Sequence, residues 1–533
     1  MRLVVFAVLL SALSGFSQTK KDSLKGGLRP ERLNYDVLHY DLNIHLDVPS
    51  KSVSGFNAIR AKVQAQTPEI QIDLAENLVL DSIILNKQKC TYKRIEGAVF
   101  VTIPVSSAIE EREIEVYYHG NPIVARNAPW DGGLVFRKSK SGAPFVGVAV
   151  QGLGASAWFP CKDSQSDEPD FGVDFQMSTS ENLPLVSNGR LISNSQLKNG
   201  HTVWHWRVTE PINAYNITFY LGKFQRFEEV HKGLDLDFWM LEENASKFSQ
   251  FKDETIKMLD CFNAAFGEYP FSKDGFKLVE APYLGMEHQS AVAYGNRYSK
   301  GYAGNDLSRS GAGMLFDFIL VHEAGHEWFG NSITTKDIAD MWVHEGFTTY
   351  SEIVYLECAE GKDAAYQYLD GIKDLIGNDI PIIGRYGINE EGSGDMYFKG
   401  ANIIQTIRNH MNDDAKFKEA LKKMCLTYQK QIVTSAEIED FWTRETASNL
   451  KPVFDIYLRT TEIPKLEVKI EKSKLKYRWL NVPADFVLRV PVLVDNKLVL
   501  LEVESKEKSV SIPKNTKSVQ PVKGASLVKL IVR

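Results

Sequence analysis

His322-Glu323-Ala324-Gly325-His326 is the most informative stretch of this 533-residue chain. The apolar residues around it recur at helical spacing and predict a helix over 314–329. Residues four apart lie on one face of a helix, so the imidazoles of His322 and His326 can reach a single metal ion. Glu323 then lies beside the open coordination position of that ion. Standing alone, the pentad would also suit two surface histidines on a helix.

A second predicted helix, over 338–360, supplies a third ligand. It contains the run Trp342-Val343-His344-Glu345-Gly346-Phe347 and follows a turn at Gly330-Asn331. Two antiparallel helices joined by a short loop bring Glu345 opposite the two histidines. Two histidines and one carboxylate leave the fourth position of a tetrahedral zinc ion open, as a catalytic zinc site requires. We therefore predict one Zn(2+) per chain, bound by His322, His326 and Glu345.

The overall composition is that of a soluble globular protein, with 44% hydrophobic and 24% charged residues. Lys and Arg number 62 against 68 Asp and Glu, a net charge of −6. This balance lacks the basic excess of nucleic-acid-binding proteins, so we predict no nucleic-acid partner. The five cysteines are scattered and include no Cys-x-x-Cys pair, which argues against a cysteine zinc site or a disulfide framework. We expect buried thiols, with one disulfide left open as an alternative.

The only long apolar run lies at the N-terminus, where residues 3–13 follow Arg2 and precede the small residues Gly15 and Ser17. This pattern predicts a signal peptide over 1–17, cleaved before Gln18. The alternative is a buried N-terminal helix or strand. The run is shorter than the roughly 20 apolar residues of a membrane span. We therefore expect no integral membrane span in the mature chain and a secreted or periplasmic location.

The hydrophobic pattern changes twice along the chain. Apolar and polar residues alternate with a period of two over 40–48 and in later runs, which predicts half-buried strands. Helical spacing begins near residue 245, and alternation returns after Pro464. We predict a multidomain α+β protein. Its parts are a flexible leader (18–29), an antiparallel N-terminal β-sheet domain (30–226), a mostly α catalytic domain (227–462) and a small C-terminal β domain (463–533).

The zinc motif and its flanks resemble one family specifically. His322-Glu323-x-x-His326, then Glu345 within His-Glu-Gly-Phe, is similar to the gluzincin zinc aminopeptidases, the family of alanyl aminopeptidase and leukotriene hydrolase. Leu284-Gly285-Met286-Glu287-His288 resembles the family's Gly-x-Met-Glu-Asn exopeptidase motif, and Tyr397-Phe398-Lys399-Gly400 its Tyr-x-Lys-Gly segment. The resemblance implies a thermolysin-like catalytic domain that cleaves peptides with a free N-terminus. The large C-terminal helical domain of longer relatives has no room here, so we expect an open, shallower cleft.

The roles of the catalytic residues follow from the zinc site together with this resemblance. Zinc lowers the pKa of its bound water, and Glu323 takes the proton as the water attacks the scissile carbonyl. The resemblance implies that Tyr397 donates to the developing oxyanion. A tyrosine that caps the helix beginning near Lys399 is the alternative. Glu352, seven residues after Glu345, orients a ligand histidine or is an ordinary surface glutamate.

The predicted substrate-binding residues are Glu287, Gln151, Met286 and His288. The Glu287 carboxylate would pair with the substrate's ammonium group, unless it is a solvated turn residue. Gln151 resembles a glutamine that contacts substrate backbone in leukotriene hydrolase, and Met286 would line the first side-chain pocket. His288 replaces the motif's asparagine. We expect it to titrate beside Glu287, so that activity falls as the pH drops through the pKa of His288.

The sequence therefore predicts a zinc aminopeptidase with Glu323 as general base. A zinc endopeptidase or an epoxide-type hydrolase on the same fold is the nearest alternative. N-acetylated peptides distinguish the two peptidases, because only the endopeptidase would cleave them. A peptide-binding module with a relic metal site is a further alternative, disfavoured because a relic would have no need of Glu323.

Overall fold

A computed structural model describes residues 19–533. The signal peptide predicted for 1–17 lies outside the described residues. Within the described part, no helix combines the length and the apolar character needed to cross a bilayer. The predicted architecture is confirmed: a β-rich N-terminal part, a helical middle part and β-sheets at the C-terminus follow one another along the chain.

The N-terminal part is built from β-sheets because its sequence alternates apolar and polar side chains. In β1, for example, Tyr40, Leu42, Ile44 and Leu46 are buried. The helices of this part are α1 (Lys20–Gly26) and α2 (Pro30–Leu33). Its strands are β1 (Tyr35–Asp47), β2 (Ser52–Val63), β3 (Glu69–Asp73), β4 (Leu78–Leu85), β5 (Gln88–Lys89), β6 (Tyr92–Ile95), β7 (Ala98–Thr102), β8 (Glu110–Gly120), β9 (Gly133–Lys138), β10 (Pro144–Ala149), β11 (Val173–Thr179), β12 (Leu185–Ser187), β13 (Arg190–Gln196), β14 (Thr202–Val208) and β15 (Phe219–Leu221).

Three sheets organise these strands. The largest has eight strands in the order β13-β14-β11-β1-β2-β8-β4-β5, a second has the order β12-β15-β10-β9, and a third β3-β7-β6. Pairing is antiparallel except between β1 and β11, where Tyr40 lies opposite Val173 in a parallel register. The antiparallel prediction therefore holds for every neighbouring pair but this central one.

The leader predicted to be flexible over 18–29 is instead helical from Lys20 to Gly26. Thr19 and Asp22 form a capping box at the start of α1, which satisfies its first backbone amides. Leu24 is buried, and its carbonyl accepts a hydrogen bond from Gln71 Nε2 at 3.0 Å. The polar composition of the leader gives no sign of a helix. The capping box and the burial of Leu24 nevertheless stabilise one.

The middle part opens with a mixed sheet in the order β16-β17-β18-β20-β19. The boundary predicted after residue 226 falls inside β16, which pairs with β17 in this sheet. The strands are β16 (Phe224–His231), β17 (Leu234–Leu241), β18 (Phe276–Glu280), β19 (Gly285–Met286), β20 (Val292–Tyr294), β21 (Ile333–Thr335) and β22 (Gln431–Val433). The helices are α3 (Phe248–Phe266), α4 (Phe318–Gly325), α5 (Trp342–Ala359), α6 (Lys362–Ile372), α7 (Phe398–Met411), α8 (Asp414–Thr427), α9 (Ser435–Thr446) and α10 (Lys451–Arg459).

Two helices are shorter than their patterns predict. Helix α4 begins at Phe318 rather than near residue 314, because Asp317 caps it by accepting from the Leu320 amide at 3.3 Å. Residues 338–340 form a separate 3₁₀ turn before α5 begins at Trp342. Apolar residues recur at helical spacing on both sides of each helix start, so periodicity does not locate the first residue of α4 or α5. Only the capping residues mark it.

The C-terminal part shares its core with the helical part. Its strands are β23 (Lys465–Glu471), β24 (Lys474–Leu480), β25 (Leu488–Val494), β26 (Lys497–Val503), β27 (Lys508–Ser511), β28 (Val519–Pro521) and β29 (Lys529–Val532). They form two sheets, β27-β24-β23-β29 and β26-β25-β28. Leu466 and Val490 belong to the same buried cluster as Phe454 of α10. The Tyr457 hydroxyl also donates to the Leu527 carbonyl at 2.5 Å, so the two parts pack as one unit.

A disulfide joins two helices of the middle part. Cys261 in α3 is bonded to Cys358 in α5. The expectation that all five cysteines are free thiols is therefore wrong for these two, and the alternative of one disulfide is correct. Cys161 and Cys425 are buried thiols, and Cys90 is half-buried. Spacing could not reveal the pair, because 97 residues separate its members along the chain.

Candidate active site

Helices α4 and α5 bring the three predicted zinc ligands together. His322 lies in α4, His326 directly follows its last residue, and Glu345 lies in the first turn of α5. Glu345 Oε2 is 3.3 Å from His326 Nε2 and 3.6 Å from His322 Nε2. One ligand atom from each residue lies within 4.8 Å of the others, and all three side chains are buried.

This geometry fits a zinc ion. Ligands about 2.0–2.1 Å from a tetrahedral ion lie about 3.3 Å from one another, close to the separations seen here. Glu345 Oε2 is buried and has no hydrogen-bond partner among the described residues, which suits a metal ligand. Burial raises the pKa of Glu345, but His326 and His322 outweigh it and hold that pKa well below its usual range. Glu345 is therefore a carboxylate, the form that binds metal.

The other ring nitrogen of each histidine is fixed by a hydrogen bond. His322 Nδ1 lies 2.7 Å from Glu352 Oε1, and the Tyr368 hydroxyl donates to Glu352 Oε2 at 2.6 Å. His326 Nδ1 lies 2.9 Å from the Phe329 carbonyl. Such partners set the tautomer so that Nε2 faces the metal. Glu352 is fully buried, so the surface-glutamate alternative does not apply.

Replacing Glu352 by glutamine should weaken zinc binding by about 10- to 100-fold, because the amide has no charge with which to hold the Nδ1 proton of His322. Zinc affinity is measured by competition with a chelator of known affinity. The matched control is Glu360→Gln, since Glu360 follows α5 and pairs only at the surface with Lys257. Equal zinc affinity in the two variants would contradict the orienting role of Glu352.

Glu323, the predicted general base, projects from α4 toward β19. Burial raises the pKa of Glu323 to about 7, while His322 and His326 oppose the shift. A Cβ on Gly285 would lie 2.4 Å from Glu323 Oε1, so the glycine of β19 leaves the space that this carboxylate occupies. A carboxyl group with a pKa near the working pH suits proton transfer in both directions.

Glu287, the predicted ammonium-binding residue, is buried beside the metal site. Oxygens of Glu287 and Glu323 and a nitrogen of His326 lie within 4.8 Å of one another. Glu287 Oε1 accepts from Gln151 Nε2 at 2.5 Å and from the Tyr215 hydroxyl at 3.2 Å. Gln151 Nε2 also lies 3.2 Å from Glu345 Oε1. The solvated-turn alternative for Glu287 is therefore wrong, because only 3% of the residue is exposed.

Tyr397 reaches the metal site from the start of α7. Its ring stacks on that of His322, with centroids 6.0 Å apart. Its side chain makes no capping hydrogen bond to the helix, so the capping alternative does not describe it. Helices α5 and α7 approach closely at two glycines, since a Cβ on Gly400 would lie 2.8 Å from the Gly346 Cα. This close contact places Tyr397 next to the ligands.

His288, a predicted substrate-binding residue, is bonded to a buried tyrosine. It is fully buried, and its Nδ1 lies 2.6 Å from the Tyr220 hydroxyl. Burial lowers the pKa of His288 to about 3, so the ring is neutral across the working range. The expectation that it titrates beside Glu287 is therefore wrong. Met286 is buried in β19, where it pairs with Ala293, and its role in the side-chain pocket stays a prediction.

The acidic limb of the pH–activity profile should be unchanged in a His288→Asn variant. With a pKa of about 3, His288 gains its proton only far below neutrality and cannot cause a loss of activity near pH 6 or 7. The measurement is kcat/KM from pH 5 to 9 for both proteins. A limb shifted by one pH unit or more would show that His288 does titrate in the range where the enzyme works.

The site also contains residues that the sequence reasoning missed. Tyr215 contacts Glu287, Tyr368 holds Glu352, and Glu391 lies close to the Gly152 backbone. None of these residues lies within a metal-binding or exopeptidase motif, so the sequence alone offered no signal for them. Their proximity arises only when separate loops and helices pack together.

Comparisons with known proteins agree with this site. The sequence model of the Peptidase M1 N-terminal domain matches residues 37–216, and that of the Peptidase family M1 domain matches residues 251–457. The chain belongs to peptidase family M1. The predicted resemblance to gluzincin aminopeptidases is confirmed, because both zinc-ligand segments lie inside the second match.

Two relatives illustrate how far this M1 chain has diverged. Glutamyl aminopeptidase of Bos taurus is 23% identical over 482 residues, covering 84% of this chain and 49% of that protein. Endoplasmic reticulum aminopeptidase 1 of Homo sapiens is 23% identical over 299 residues, covering 53% and 31%. The chain thus spans about half or less of the length of these relatives.

Solved structures share the fold. An M1 zinc metallopeptidase from Deinococcus radiodurans superposes with a TM-score of 0.69 at 20% identity, covering 84% of this chain and 98% of that one. Native LTA4 hydrolase from yeast gives a TM-score of 0.65 at 16% identity, covering 81% and 69%. The agreement extends over both the β-rich and the helical parts of this M1 chain.

Proposed function

We propose that this protein is a zinc-dependent aminopeptidase that hydrolyses the N-terminal peptide bond of peptides. The observation that supports this most strongly is the buried Glu287 carboxylate beside the three-residue metal group. A buried carboxylate at that place binds a substrate ammonium group and so limits cleavage to the first peptide bond. The names of the two relatives described above agree with this class of activity.

The Glu287 carboxylate is held in position to accept the ammonium group of a substrate. Burial raises the pKa of Glu287, His326 opposes the shift, and the charge of Glu345 raises it further. A substrate ammonium ion supplies the positive charge that this carboxylate lacks in the free protein. Gln151 and Tyr215 hold one Glu287 oxygen by hydrogen bonds and so fix the carboxylate for the incoming amine. The first residue of the peptide is then fixed with its carbonyl near the metal group.

His322, His326 and Glu345 would hold the zinc ion, which supplies Lewis acidity for activating water and polarising a carbonyl. Glu323 accepts the proton of the attacking water and later gives it to the leaving amine. Tyr397 donates a hydrogen bond to the oxyanion that develops on the scissile carbonyl. Burial, with Glu345 and Glu391 adding to it, holds the pKa of Tyr397 well above its usual range, so its hydroxyl keeps the proton it donates.

A panel of aminoacyl and N-acetyl-aminoacyl chromogenic substrates tests this proposal, with a chelator-treated sample and a zinc-restored sample. We expect hydrolysis of the free-amine substrates only, lost with the chelator and recovered with zinc. Comparable cleavage of the N-acetylated substrates would indicate the endopeptidase alternative. Hydrolysis of an alkyl epoxide without any peptidase activity would indicate the epoxide-type alternative.

We further propose that the chain is exported, to the periplasm or outside the cell. The predicted signal peptide over 1–17 supports export, and so does the Cys261–Cys358 disulfide, since such bonds persist mainly in oxidising compartments. Cell fractionation and N-terminal sequencing test this proposal. A mature chain beginning at Gln18 outside the cytoplasm is expected, whereas an uncleaved chain in the cytoplasm would contradict it.

A further inference from the structure

A pocket adjoins the residues that hold the proposed ammonium-binding carboxylate, Glu287. Gln151 and Tyr215, the two residues that hold Glu287, both line it. The pocket is therefore separated from Glu287 only by the side chains of Gln151 and Tyr215, close to where a substrate bound at Glu287 would place its first residue. This inference rests on the proposed aminopeptidase function.

Helix α1 forms one wall of the pocket, through Lys25 and Gly26. Three hydrogen bonds hold the helix between the β-rich and helical parts. Lys25 Nζ donates to the carbonyls of Gly152 and Leu153 on one side. On the other side, the Asn389 amide donates to the Asp22 carbonyl at 3.2 Å. The expected open, shallow cleft is thus bounded on one side by this helix.

Gly26 is needed for this close fit. A Cβ on Gly26 would lie 2.0 Å from the Ile388 carbonyl carbon and 2.3 Å from the Asn389 nitrogen. Both neighbours are backbone atoms, which cannot turn aside as a side chain could. The helix therefore packs directly against the loop that leads to Tyr397.

The charged side chains that line the pocket differ in how many hydrogen bonds they already form. The Asp163 carboxylate accepts from the Ala155 and Ser156 amides, and that of Asp337 accepts from the Ala339 and Gly387 amides. Lys336, in contrast, is exposed and makes no ion pair among the described residues. Lys25 uses two of its three N–H bonds for the Gly152 and Leu153 carbonyls and has one left, so the donors still available to a ligand are this N–H and the Lys336 ammonium group.

Lys25 also acts electrostatically on the catalytic cleft. Burial raises the pKa of Glu391 to about 7, Glu345 and Glu287 raise it as well, and Lys25 lowers it. A Cβ on Gly152 would lie 3.5 Å from Glu391 Oε1, so Glu391 stands next to the backbone that Lys25 binds. The Lys25 ammonium group is therefore near enough to Glu391 to oppose the rise of its pKa.

We propose that helix α1 is a wall of the pocket for the substrate's first side chain and that Lys25 is a specificity-determining residue there. Its ammonium group favours a first residue with an anionic side chain, Asp or Glu, over a cationic one, Lys or Arg. The reason is that like charges repel strongly in a confined, partly dehydrated pocket, whereas opposite charges attract.

The test compares kcat/KM for chromogenic substrates with Glu, Ala or Arg as the only residue, in the intact zinc-loaded protein. The wild-type protein should favour Glu over Arg. Lys25→Met retains most of the side-chain length without the charge and should lower the Glu-to-Arg ratio by about tenfold. Lys25→Arg should keep the ratio near the wild-type value. The matched control is Lys21→Met, in an exposed position of the same helix, with an unchanged ratio.

Each outcome separates this inference from the function on which it rests. If wild-type protein hydrolyses none of the three substrates, the proposed function fails. If it hydrolyses the Ala substrate, but the Glu-to-Arg ratio is unaltered by Lys25→Met or altered equally by Lys21→Met, the role of Lys25 is wrong. A lower melting temperature with an unaltered ratio would likewise show that Lys25 is only structural.

Discussion

Replacing Glu323 by glutamine should lower kcat by about a thousandfold, the scale of a lost general acid–base group. Glutamine has nearly the same shape but cannot accept the proton of the attacking water or return it to the leaving amine. The three zinc ligands His322, His326 and Glu345 are unchanged in this variant, so zinc should remain bound at one ion per chain. The measurements are kcat on a free-amine substrate and zinc content by elemental analysis.

The zinc content decides how a loss of activity is interpreted. A zinc-loaded, folded and inactive Glu323→Gln protein supports the base assignment. Turnover within tenfold of the wild-type rate, with zinc present, would show that another group takes the proton. Glu327 offers a matched comparison on the neighbouring turn: it is fully buried, but it accepts from the Ser290 amide at 2.7 Å, away from the ligand group. Glu327→Gln should therefore affect stability more than chemistry.

Glu287→Gln should reduce kcat/KM for free-amine substrates by about 100-fold, because a hydrogen bond between two charged groups is replaced by a weaker neutral one. Glutamine is nearly the same size as glutamate and still forms hydrogen bonds. Zinc binding by His322, His326 and Glu345 should therefore persist. Steady-state kinetics on matched free and N-acetylated substrates provide the measurement.

The ratio between the two substrate types is the decisive quantity for Glu287. In the wild-type protein the free amine should be strongly preferred, and in Glu287→Gln that preference should largely disappear. An equal fall for free and blocked substrates would mean that Glu287 supports the fold of the site rather than the ammonium ion. Tyr215→Phe removes one hydrogen bond to Glu287 and should cause a smaller loss of the same preference.

Local periodicity predicted the elements of the site well. Because His322 and His326 are four residues apart, they lie on one face of a helix. Glu345 comes to lie opposite them because its helix adjoins the first one. The helix Phe248–Phe266 ends at Gly267, which adopts a φ of 101°, and Thr434 and Glu437 form a capping box, a Thr-x-x-Glu pattern, at the start of α9. These features depend on residues near one another in sequence, which a pattern can detect.

The features that could not be predicted depend on tertiary packing. His288 follows Glu287 directly, yet its ring turns to Tyr220 of β15, which no local pattern encodes. The helix in the leader depends on contacts with Gln71 and with Asn389, both distant in sequence. Similarly, Tyr215 reaches Glu287 only because the β-rich part packs against the helical part.

The most direct test of the whole account is X-ray diffraction from crystals of the zinc-loaded protein, collected on both sides of the zinc absorption edge. We expect one strong anomalous peak per chain, about 2.0–2.1 Å from His322 Nε2, His326 Nε2 and a Glu345 oxygen. A protein that cleaves free-amine substrates but shows no peak among these three residues, or a peak held by other side chains, would contradict it.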